Sequence, residues 1–110
     1  MDSEAFRRRG DKQEAFSMDL NEYRAAIDGV DRELLALFVR RLALCADVAV
    51  WKKEHGLGVR DEAREKEKLA SVAAQCPAGY EADAAAFFER VIELCRESEE
   101  RLLRQEKPCV

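Results

Sequence analysis

The segment Tyr23 to Trp51 repeats with one period. Tyr23, Ile27, Val30, Leu34, Leu37, Arg41, Leu44, Val48 and Trp51 are spaced alternately four and three apart. That heptad seam predicts a long α-helix packed along its length against other helices. A strand would alternate every two residues, and nothing in the chain does so over a useful length. The helix is expected from about Asp19 to Glu54. His55, Gly56, Leu57 and Gly58 then supply the glycines that end helices and open loops.

Two more helices follow. Asp61 suits the cap of the second, with Glu62 and Glu65 in its first turn. Its apolar positions are Leu69, Val72, Ala73 and Cys76. The stretch CPAGY, Cys76 to Tyr80, reads as a turn. A third helix is expected from about Glu81 to Arg104, with Phe88, Val91, Ile92, Cys95 and Leu102 as its buried stripe. The fold class is therefore all-α: one long N-terminal helix, a short one and a second long one. Residues 1–18 read as a polar tail carrying the basic run Arg7–Arg9, and residues 19–107 as a single helical domain.

Composition narrows the function classes. Of the 110 residues, 47% are apolar and 38% charged, which fits a surface-charged helical protein rather than a disordered one. A net charge of −4 argues against a general nucleic-acid binder. The four cysteines, Cys45, Cys76, Cys95 and Cys109, form no C-x-x-C pair, and with His55 as the one histidine they suggest no zinc set. The N-terminal MDSEAFRRRGDKQEAF lacks an apolar core, and no run approaches a membrane span. A cytoplasmic chain with reduced thiols, no membrane partner and no metal is expected.

The seam contains a contradiction. At ~100° per residue Lys52 lies within about 20° of Arg41, with Val48 and Leu34 on the same side. Two cations thus sit in the apolar face, where an unpaired charge costs several kcal/mol. Glu65 falls on the apolar line of the second helix and Glu99 on that of the third. Internal pairing, Arg41 with Glu99 and Lys52 with Glu65, is one resolution; snorkelling to solvent is another. Both leave cations in excess, because Arg24, Arg60 and Arg64 lie near this face or its loop. Surplus arginines ask for an anionic ligand, and their planar forks suit carboxylates. Arg24 and Arg41 are about 25 Å apart along one helix axis, too far to grip one small molecule. Arg24 can join the site only from a second chain, through an antiparallel pairing of long helices about a two-fold axis.

These residues also carry a family likeness. Tyr23 to Leu69 resembles the all-helical (class II) chorismate mutases in an ordered set: Leu20 and Arg24; Ile27, Asp28 and Asp31; Arg41 and Lys52; Val59 and Asp61; Arg64 and Glu65. The likeness extends over about 19–104. It implies an intertwined homodimer of three-helix protomers, without cofactor, that rearranges chorismate to prephenate on the way to phenylalanine and tyrosine. Such a pericyclic step needs no nucleophile and no proton transfer. It needs a flexible dicarboxylate held in a chair-like shape and relief of the negative charge growing on the ether oxygen.

Carried over by position, the resemblance makes Arg41, Lys52 and Glu99 the catalytic set. Arg24 of the partner subunit and Arg41 would clamp the carboxylates, and Lys52 would reach a carboxylate and the ether oxygen. Asp61, by side chain or backbone, Arg64 and Glu65 would line the ring side, with Glu65 accepting from the ring hydroxyl. Arg60 is a weaker candidate. Cys95 would bind substrate where serine is common in the family. Glu99 stands where many members have glutamine, so it must be protonated to donate to the ether oxygen. Isochorismate-pyruvate lyase, a non-catalytic helical dimer module and a coiled-coil scaffold are the competing readings.

Overall fold

The computed structural model describes residues 19–105. Its order is α1 (Leu20–Glu54), α2 (Glu62–Gln75) and α3 (Glu81–Gln105), with no strand among the described residues. The chain is all-α, as its sequence predicts, and each boundary falls within about one residue of the expected one. The expected tail, with Arg7–Arg9, lies outside the described residues.

Each helix end has a local cause. Asp19 opens α1 with a capping box: its Oδ1 accepts from the Glu22 amide at 2.8 Å, and Glu22 Oε1 accepts from the Asp19 amide at 2.9 Å. At the other end the Leu57 amide reaches the Lys52 carbonyl at 2.8 Å and the Gly56 amide reaches the Lys53 carbonyl at 3.2 Å. This is a Schellman stop, and it requires the left-handed backbone that Gly56 adopts at φ +71°. Asp61 caps α2, accepting from the Arg64 amide at 3.0 Å. The turn before α3 uses Gly79 at φ +97°, and its amide donates to Glu81 at 2.9 Å.

Backbone contacts divide the described residues into 19–38 and 39–105. In the first unit Leu20, Ile27, Val30, Leu34, Leu35 and Leu37 are all exposed. In the second, α2 packs on α3. Its buried side chains are Ala49, Val91, Cys95 and Glu99, while Val39, Leu44, Val48 and Trp51 stay open. The expected stripe of α3 is present, with Val91 and Cys95 buried and Phe88, Ile92 and Leu102 half-buried. On α2 the stripe is narrower than expected, because Ala73 is exposed. The heptad seam of α1 exists as a pattern, and among the described residues its apolar members Ile27, Val30, Leu34, Leu37, Leu44, Val48 and Trp51 are exposed. No helix among the described residues is long and apolar enough to cross a membrane.

Candidate active site

Arg41 and Lys52 stand three helical turns apart on one face of α1, and both are half-buried. Together with Cys95 and Glu99 of α3 they line a cavity of about 250 Å³ in the second unit. Arg41 Nη1 donates to Cys95 Sγ at 2.8 Å and, more distantly, to Cys45 Sγ at 3.8 Å. Lys52 Nζ donates to the Val59 carbonyl at 2.9 Å. Neither cation forms an ion pair with a carboxylate among the described residues. The internal pairing of Arg41 with Glu99 and of Lys52 with Glu65 is therefore not how the chain meets these charges.

Glu99 is 8% exposed. Burial pushes its carboxyl above the ordinary range, against the pull of Lys52, a hydrogen bond from Cys45 and the charge of Arg41. The shift enlarges the share of neutral acid at any given pH, and a neutral carboxyl can donate. Beside it the Cys45 thiol is pushed up to about 12, first by burial and then by the neighbouring Cys95, with Arg41 opposing. Cys45 is thus a neutral thiol at physiological pH, not a nucleophile.

The opposite wall comes from the start of α2. Glu65 Oε2 accepts from Arg96 Nη1 at 2.8 Å, and its Oε1 lies 3.4 Å from Arg60 Nη2. Arg60 also approaches Glu62 at 3.7 Å, on the surface. Asp61 and Arg64 also line the cavity, but their charged ends are engaged elsewhere. Asp61 holds the helix cap, and Arg64 is exposed and paired with Glu67 at 2.9 Å. Arg24 is exposed on α1 in the first unit, whereas the cavity is built from second-unit residues alone.

The structure adds Cys45, Lys68 and Arg96 to the lining. Cys45 was legible as the residue one turn beyond Arg41, and Lys68 as the one beyond Glu65. Arg96 carried no such signal, since its partner is 31 positions away on another helix. The set can bind anions through Arg41, Lys52 and Lys68, with Glu99 as a buried carboxyl beside them. Among the described residues no cluster of His, Cys, Asp or Glu could hold a metal ion.

Residues 23–100 match the model of the chorismate mutase type II family. The chain belongs to that family. The matched range takes in every expected site residue from Arg24 to Glu99. A curated relative, the T-protein of Haemophilus influenzae, is 41% identical over 51 residues, which is 46% of this chain and 14% of the relative. The chorismate mutase type II chain thus spans about a seventh of the length of that relative. No solved structure matches it.

Proposed function

We propose that the chain rearranges chorismate to prephenate, an isomerisation in aromatic amino acid biosynthesis, as a cytoplasmic homodimer. The observation that carries this reading is the convergence of Arg41, Lys52 and Glu99 on one cavity, in a chain of the chorismate mutase type II family. Arg41 takes one carboxylate, leaving its sulfur partners. Lys52 serves a carboxylate and the ether oxygen. Protonated Glu99 donates to the same oxygen as the C–O bond breaks and the new C–C bond forms, so the transition state gains charge relief that the ground state lacks. Glu65 accepts from the ring hydroxyl, and Asp61, Arg64 and Cys95 complete the wall.

The dimer supplies the rest. Apolar side chains at Ile27, Val30, Leu34 and Leu37 of the first unit are open to solvent, and a helix with such a stripe is stable when a partner covers it. A second copy would bring Arg24 to the substrate's remaining carboxylate. The free thiols Cys45, Cys76 and Cys95 suit a reducing compartment.

The test is turnover of purified protein, followed by loss of chorismate absorbance, in parent and Lys52→Ala. Conversion by the parent and its loss in the variant supports the mutase. Release of pyruvate and salicylate from isochorismate, with no loss of chorismate, assigns the lyase instead. No turnover of either substrate leaves a non-catalytic helical module.

A further inference from the structure

Arg96 has no part in the scheme above, yet it makes the shortest contact on the α2 side of the cavity. Its guanidinium donates to Glu65 Oε2 at 2.8 Å, and both side chains are about four-fifths buried, at 21% and 20% exposure. Arg60, the other partner of Glu65, is 53% exposed and sits farther off at 3.4 Å. The desolvated pair is therefore the stronger of the two, because solvent screens the Arg60 contact. Arg96 also lines a second cavity, of about 450 Å³, whose wall includes Glu65, Ile92 and Glu93. The Arg96–Glu65 pair is the partition between the two.

Glu65 alone is a poor neighbour for a dicarboxylate. An ionised side chain facing a doubly anionic ligand repels it, and most strongly where water is excluded. With Arg96 on one oxygen the local charge is cancelled, while free lone pairs on the carboxylate still accept from a hydroxyl. We infer that Arg96 is a positioning residue: it neutralises and orients Glu65 so that the cavity admits an anion carrying a ring hydroxyl. This rests on the mutase reading, deepening it at the α2 wall.

The experiment is a double-mutant cycle on chorismate turnover with Arg96→Ala, Glu65→Gln and the double variant, together with Arg96→Lys and the melting temperature of each. Arg96→Ala raises KM about tenfold or more, since a carboxylate left with only the exposed, solvent-screened Arg60 then faces the substrate. Adding Glu65→Gln recovers most of that loss, and Arg96→Lys keeps part of the parent KM. A purely structural salt bridge lowers Tm in both single variants but gives no recovery of KM in the double. Should alanine unfold the helix pair, Arg96→Gln retains the stem and reports the same KM pattern. An unchanged KM in Arg96→Ala, or single effects that simply multiply in the double variant, overturns the inference while leaving the mutase reading intact. A parent chain that neither binds nor converts chorismate overturns both.

Discussion

Lys52 reaches over the loop that ends α1 and donates its Nζ to the Val59 carbonyl at 2.9 Å. The same residue's carbonyl accepts the Leu57 amide at 2.8 Å. One lysine thus fixes the loop from both its backbone and its side chain, and its ammonium stays at the cavity wall.

Replacing it separates the two jobs. Lys52→Ala leaves the backbone bond in place and removes the ammonium. Turnover of chorismate falls by about 100- to 1,000-fold, the usual loss for one electrostatic donor to a developing oxyanion. Stability falls by about 1.5–3 kcal/mol, for a single hydrogen bond from a charged donor. Initial rates and thermal melts of the same preparation check both; a full-rate alanine variant removes Lys52 from the chemistry.

Glu99 makes activity depend on pH. Burial raises its carboxyl, and in the proposed scheme the protonated form is the donor. Activity therefore falls as pH rises through that raised value, by about tenfold per pH unit on the falling limb. Stability follows the same sign. The folded-state value lies above the unfolded one, so this group's contribution is complete below about pH 4.3, the ordinary glutamate value, and fades as pH climbs through the folded value. Glu99→Gln flattens both profiles. A parent kcat/KM that stays level from acid to alkaline pH contradicts the assignment.

The loop glycines differ in what they tolerate. Gly56 is left-handed at φ +71°, with open space where a Cβ would stand, so only backbone strain opposes alanine there. Gly56→Ala lowers stability by about 1–2 kcal/mol, a drop of several degrees in Tm. Gly58 has the same open space without the positive φ, and Gly58→Ala is neutral or slightly stabilising. Differential scanning calorimetry on the two variants reads the contrast.

The open stripe of α1 predicts assembly. Sedimentation velocity gives a two-chain mass for the parent, and Ile27→Glu with Leu37→Glu gives a one-chain mass with loss of turnover. Arg24→Ala keeps the two-chain mass but loses about 100-fold in turnover, the loss expected if it removes the proposed carboxylate clamp. Arg24→Ala with parent-like kinetics removes that residue from the site.

What the sequence made legible was local. The heptads placed α1, the glycines after His55 ended it, and Asp61 opened α2, because each signal acts within a turn or two of itself. Arg41 and Lys52 were legible as a pair for the same reason: their spacing fixes their shared face. Arg96 was not, since its meeting with Glu65 depends on how α2 and α3 align, which no short window encodes. Arg64 shows a local signal that the expectation did not use: its surface pairing with Glu67, three residues on, follows a short-range rule.

Arg41 rests against sulfur, and this bears on how a ligand is captured. A thiol is a weak acceptor, so the contact with Cys95 at 2.8 Å parks the guanidinium without binding it hard. Handing it to an arriving carboxylate forfeits little, whereas a resident aspartate at position 95 would have to be outcompeted. If Arg41 anchors the substrate as proposed, the cavity is thereby cocked: its cation waits at the wall, held by the partner easiest to displace.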